Sequence, residues 1–264
     1  MRELLKDEMR FVSGGLVPEP PVDLGGVTVH PDPSGGGGGG GGGATPPPSG
    51  GGGGSSGSSG GALSASQASG VARIKAELGV DLTTYAQMSP TLAQEIANAT
   101  ATYNWQFDFS ANGSSCAYSA TSTVEGTIHI DSAYQNNPAA IVEQLSHELS
   151  HIDHRVWDDP HKVTSQQYVS DYLTAEGYAT LSNEQVRNDI LTAHGGDIGV
   201  ASADKPDTLP LYDAQYARVV ANAYYTNDAA VQIGKVYGQY EHVPDGRSYS
   251  QVFLENYHNG GGTN

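Results

Sequence analysis

Residues 137–154 read Asn-Pro-Ala-Ala-Ile-Val-Glu-Gln-Leu-Ser-His-Glu-Leu-Ser-His-Ile-Asp-His. Ile141, Val142, Leu145, Leu149 and Ile152 recur at the three-and-four spacing that lays an apolar stripe along a helix. Asn137 is a good N-cap residue, and Pro138 suits the first helical position, where no backbone donor is needed. The spacing therefore predicts a helix from Pro138 to about His154. On it stand His147-Glu148-Leu149-Ser150-His151. Residues four apart project from one face a turn apart, so both imidazoles can reach a single ion. Neutral imidazole suits zinc, and a catalytic zinc takes three protein ligands and keeps one position open. Glu148 points about 100° away from His147 round the helix, which leaves it to serve as the base for an attacking water.

The third ligand must come from elsewhere. His154 is three residues past His151, but three ligands stacked along one straight helix cannot surround a tetrahedral ion. No glycine follows to turn the chain. His154 is therefore read as a surface or supporting residue. Glu176 is the better candidate, 25 residues past His151 (176 − 151), in a helical stretch from about Tyr168 to Ile190. Ala175, Gly177 and Ala179 keep its surroundings small and suggest a close approach to the first helix. Asp171 and Asn183 are candidates for orienting the ligand histidines from behind.

Further out, Ser66 to Leu78 reads as a helix, and Ser89-Pro90 opens another that carries Leu92, Ile96 and Ala97. Trp105, Phe107 and Phe109 alternate with Gln106 and Asp108 as a strand; Ala117 to Ser119 and Thr127 to Asp131 are further strand candidates. Thr127 to Asp131 precedes the histidine-bearing helix and is expected at a sheet edge, where an extended peptide could pair with it. The fold class expected is α+β: a small mixed or antiparallel sheet, the HExxH helix and a second helix bearing the glutamate. Residues 62–264 form the globular domain.

The chain has 264 residues and a formal charge of −17, from 29 acidic against 12 basic residues. Without clustered Lys and Arg, nucleic acid is not an expected partner. No apolar run approaches the roughly 20 residues needed to span a bilayer. Cys116 is the sole cysteine, which excludes an internal disulfide and a cysteine-based zinc site; a buried, inert role is expected for it. Residues 16–61 are rich in Pro, Gly and Ser, with an unbroken glycine run from Gly35 to Gly43. Such composition cannot bury enough apolar surface to offset ordering, so a disordered linker is expected.

Residues 1–15, MRELLKDEMRFVSGG, place Leu4, Met9 and Val12 on one helical face before Gly14-Gly15. They resemble the double-glycine leaders of bacteriocin and microcin precursors. That resemblance implies cleavage after Gly15 by a peptidase-containing ABC exporter, and hence a secreted product. The runs LSHELSHIDH, LTAEGYATLSNEQVRNDIL, HGGDIG and YGQYEHVPDGRSYSQVF are similar to metallopeptidase-like domains at the C-termini of bacterial polymorphic toxins. Those are gluzincin-type zincins. The resemblance implies His147, His151 and Glu176 as zinc ligands, Glu148 as base, a peptide or protein substrate and an immunity protein as partner. Departing from such toxins, this chain has a short leader and a glycine tether in place of a long repeat-bearing carrier.

The expected activity is zinc-dependent peptide-bond hydrolysis by an exported toxin or effector. Stabilising the developing oxyanion needs one donor besides the metal. Tyr212, Tyr216, His194 and His242 can supply one; Tyr212 and Tyr216 are preferred. Two alternatives stay open at this point: a zinc amidase that cuts peptidoglycan peptides, and a non-catalytic bacteriocin-like binding protein with a structural zinc site.

Overall fold

A computed structural model describes residues 61–110, 116–118, 125–156, 158–201, 207–243 and 245–262, with only the backbone for 116–118. The expectations placed on the leader with Gly14 and Gly15, on linker residues 16–60 and on the Cys116 side chain lie outside the described residues.

The described chain is mostly helical and belongs to the α+β class. Helix α1 (Ala65–Leu78) starts at a capping box in which Ser64 and Gln67 satisfy each other's backbone, and it stops at Gly79, whose φ of 73° suits a residue without Cβ. Helix α2 (Thr83–Met88) leads to Ser89, which caps α3 (Pro90–Ala97) by accepting from the Leu92 amide. A π-helical turn at Asn98–Thr102 delivers the chain to strand β1 (Asn104–Ser110). Trp105 and Phe107 of β1 are buried while Gln106 and Asp108 face outward, as the alternation predicts.

Strands β2 (Cys116–Tyr118) and β3 (Glu125–Asp131) complete a three-stranded sheet of order β1-β3-β2. The main pair, β1 with β3, is parallel along seven residues, Asn104 opposite Glu125 through Ser110 opposite Asp131. Antiparallel pairing is confined to the three residues of β2. This corrects one expectation: β3 is the central strand, not an edge. Its Thr127, Ile128 and His129 have β1 on one side and β2 on the other, so no backbone there is left for an extended peptide.

Helix α4 (Pro138–Asp153) follows, capped by Asn137 with Pro138 in its first turn. It carries Ile141, Val142, Leu145 and Leu149 into the core formed with the sheet and α1 to α3. Helix α5 (Ser165–Thr192) is the spine. At 28 residues it is about 42 Å long, and it packs against α3, α4, α6 (Leu209–Ala221), α7 (Thr226–Tyr240) and α8 (Tyr249–Asn259). Its Val186 and Ile190 join the first core, Leu181 joins a second with Tyr212, Tyr216, Ala229, Ala230 and Ile233, and Leu173 joins a third with Tyr237 and Phe253. Among the described residues, no helix is long and apolar enough to cross a membrane.

Of the small residues beside Glu176, Gly177 serves a contact that the sequence does not suggest. A Cβ on Gly177 would stand 1.9 Å from the Ala230 carbonyl oxygen, and one on Gly234 would stand 2.1 Å from that of Leu173. The two glycines thus bring α5 and α7 together, glycine against backbone in both directions, while Glu176 also reaches α4. Gly177→Ala must push the two backbones apart, which outweighs the roughly 1 kcal/mol that alanine gains over glycine in a helix. A net loss of about 2 kcal/mol or more is expected in chemical denaturation. Gly196→Ala, where a Cβ would meet nothing within 4 Å, should be nearly neutral; equal effects of the two would refute the packing argument.

Candidate metal centre

The apolar stripe of α4 is sunk in the core, which fixes the rotation of the helix and turns the opposite side toward α5. His147 and Glu148 are buried there, at 5% and 6% exposure. His147 and His151 meet edge to face, ring centroids 5.0 Å apart. Glu176 of α5 comes up between them. Its Oε2 lies 3.2 Å from His147 Nε2 and 3.5 Å from His151 Nε2, and the two Nε2 atoms are 3.3 Å apart. These three side chains form a group able to hold a metal ion.

The triangle can be tested against a metal. Four ligands at about 2.0–2.1 Å from a tetrahedral ion are separated by about 3.3–3.4 Å. The observed edges of 3.2, 3.3 and 3.5 Å bracket that value. The donors fit an ion with two imidazole nitrogens and one carboxylate oxygen, leaving the fourth position to a non-protein ligand.

Electrostatics agree. Burial works against charge on His151, yet the carboxylates of Glu176 and Glu148 outweigh it and push the imidazole up to about 9. Burial would likewise raise Glu176, but His151 and His147 hold it well below the usual carboxylate range. Two acids converging on two imidazoles make a site that favours added positive charge. His147 Nδ1 is buried and has no hydrogen-bond partner among the described residues.

The other expected residues are placed as follows. His154 ends α4 as its C-cap, with Nδ1 3.2 Å from the Ser150 carbonyl, and its ring stacks on Tyr178 at 4.2 Å; it is outside the triangle. Asp171 accepts from Gln167 Nε2 at 2.6 Å rather than from an imidazole. Asn183 donates to Ser146 Oγ at 2.8 Å and accepts from the Ala201 amide at 2.7 Å. It thus ties α4, α5 and the loop after α5 together and holds the helix rather than a ring. Arg187 pairs with Glu184 of α5, Asp197 of the following loop and Asp213 of α6. The block around Glu176, Asn183 and Arg187 therefore ties α5 to its neighbours and holds Glu176 against α4.

Tyr212 and Tyr216, the expected oxyanion donors, are not at the centre. Tyr212 is fully buried with its hydroxyl donated to Glu241 at 3.2 Å. Tyr216 sits beside Asp189, Glu184 and Asn188, which lie about 12–20 Å along α5 from Glu176. His242 Nδ1 is engaged by the Tyr240 carbonyl at 2.8 Å, and His194 is in the turn that ends α5 with a φ of 62°. Among the described residues, Tyr237 of α7 is an aromatic residue that reaches the site. Its ring lies 6.3 Å from that of His147 and within 14° of parallel. Burial, followed by the charge on Glu176, keeps its phenol well above the ordinary range and therefore protonated.

Comparisons with family models, with curated proteins and with solved structures returned no match.

The raised His151 makes a measurable prediction. Below about pH 9 the metal-free centre carries a proton there that a metal must displace. Apparent metal affinity should rise about tenfold per pH unit from pH 7 to 9 and then level off. Cobalt(II) titration against a competing chelator of known pH behaviour checks this; an affinity flat across that range contradicts it.

Proposed function

We propose that this chain is a zinc-dependent peptide-bond hydrolase of zincin-like fold, with His147, His151 and Glu176 holding the ion. The observation that carries the reading is the triangle of ligand atoms with tetrahedral edges of 3.2–3.5 Å, beside a buried carboxylate one residue along α4. A donor set of two histidines and one carboxylate also suits iron(II). Glu148 favours zinc hydrolysis, because such a centre needs a base that is not itself a ligand.

Zinc, when bound, polarises the attacking water and the scissile carbonyl. The chain's own residues supply the rest. Glu148 accepts the proton of the attacking water and returns it to the nitrogen of the leaving amine, so one C–N bond breaks as one C–O bond forms. Its burial keeps that transfer away from bulk solvent. Glu176 and the two imidazoles fix the ion relative to Glu148, since all four residues come from two helices tied by Asn183 and Ser146.

Export as a toxin or effector, guided by residues 1–15, extends the proposal and draws on the leader-like sequence alone. The acidic charge of −17 agrees with a target that is not nucleic acid. Release of label from fluorescent casein against release from labelled cell walls separates a protein substrate from peptidoglycan.

Glu148→Gln should keep the metal at wild-type stoichiometry and lower hydrolysis by a factor of about 10²–10⁴. Full activity in that variant would refute Glu148 as base. Full biological function without any hydrolysis would favour a binding protein with a structural ion.

A further inference from the structure

The three side chains of the metal group are not equally covered. The His147 side chain is 6% exposed, and those of Glu176 and His151 are 15% and 19% exposed. The group therefore opens toward the C-terminal end of α4. About one turn past His151 in that direction, His154 borders a cleft of about 360 Å³. Asp171, Ala175 and Tyr178 line it from α5, sharing one helical face, and Ala175 is the immediate neighbour of Glu176. The rings of His154 and Tyr178 stack 4.2 Å apart and within 9° of parallel, making a flat wall. Tyr178 is fixed by donating its hydroxyl to Asn227 at 2.9 Å. Arg155, Asp158 and Asp171 bring charge to the cleft. The Arg155 guanidinium is laid over Trp105, 4.7 Å from the ring centroid. Asp158 is hydrogen-bonded to Asp171, and burial followed by the charge of Asp171 holds its carboxyl above the ordinary range. Asp158 Oδ2 is buried, with no hydrogen-bond partner among the described residues.

We infer that this cleft is a substrate pocket that takes the basic side chain, Lys or Arg, of a peptide residue near the scissile bond. Its place in substrate choice rests on the proposed hydrolytic reading. The aliphatic stem of such a side chain lies along the stacked rings of His154 and Tyr178. Its cation replaces the proton that Asp158 and Asp171 otherwise share. The cleft also abuts the C-terminal end of α4, where the helix dipole favours positive charge. Two carboxyl groups, against one guanidinium already seated on an aromatic ring, make this a site for a cation rather than an anion.

The test uses the full chain carrying Glu148→Gln and supplied with zinc, so that peptides bind without being cut. The probes are a dansyl peptide with a central Lys among Ala residues and its norleucine and Glu counterparts. Binding is followed by fluorescence anisotropy at about 0.15 M salt, where distant charges are screened. The Lys peptide should bind about 10- to 100-fold more tightly than the norleucine peptide, the range for hydrogen bonds to charged groups. Adding Asp158→Asn and Asp171→Asn together should abolish that preference while leaving norleucine binding and the melting temperature unchanged. Asp158→Asn alone should lower it in the same direction. Asp81→Asn with Asp228→Asn, which removes the same charge from exposed positions elsewhere, should keep it. Equal affinity for the Lys and norleucine peptides overturns the inference. So does a preference that persists without Asp158 and Asp171, or tighter binding of the Glu peptide. The wild-type chain on the same peptides tests the hydrolytic reading apart. Cutting without regard to Lys would overturn the pocket and leave the hydrolase. A Lys preference in binding with no cutting of any peptide would remove the hydrolase and still support the cleft as a site for basic side chains.

Discussion

Three donor atoms from two helices are held 3.2–3.5 Å apart, in a group that could take a metal ion, and the packing of both helices keeps them there. Two imidazoles and two carboxylates gathered in a mostly buried site are costly without a compensating cation. In the metal-free chain a proton on His151 fills that role in part, shared with Glu176. A divalent ion fills it better, because it draws on all three ligands at once. The separation survives only because neither helix can rotate. The stripe from Ile141 to Ile152 fixes α4 against the sheet, while α5 is gripped by α4, α7 and α8 together.

Helix α5 links the site to the rest of the molecule. One end packs with α8, the middle presents Glu176 to α4 and Gly177 to α7, and the other end enters the first core through Val186 and Ile190. A residue in α7, Tyr237, far from the HExxH motif in sequence, thereby lies near His147. The joint made by Asn183, Ser146 and the Ala201 amide fixes the sliding of α5 along α4. A shift of one helical step, about 1.5 Å, would spoil the triangle.

The metal helix is legible in sequence because its cap, its apolar period and its polar motif agree over 18 residues, 137–154. Glu176 is legible through its small neighbours, although the reason differs: Gly177 makes room for Ala230 of α7 rather than for α4. Strand existence is readable from the alternation of Trp105, Phe107 and Phe109. Pairing is not, since alternation shows which face is buried and says nothing about the neighbour. Hence β3 reads as an edge and is central. Tyr237 is hidden because the signal that places it is a contact between Gly234 and Leu173, residues from two separate helices. In retrospect, Gly234, Tyr237 and Gly238 with the Ser248-Gln251 capping box mark α7 and α8.

The proposed centre binds one ion through His147, His151 and Glu176 together. Anomalous diffraction at the zinc edge from crystals grown with one equivalent of zinc tests it most directly. A single strong peak is expected about 2.0–2.2 Å from both Nε2 atoms and a Glu176 oxygen, with Glu148 outside bonding distance. A peak coordinated by Glu148 or His154 in place of Glu176, or none at this site, would contradict it.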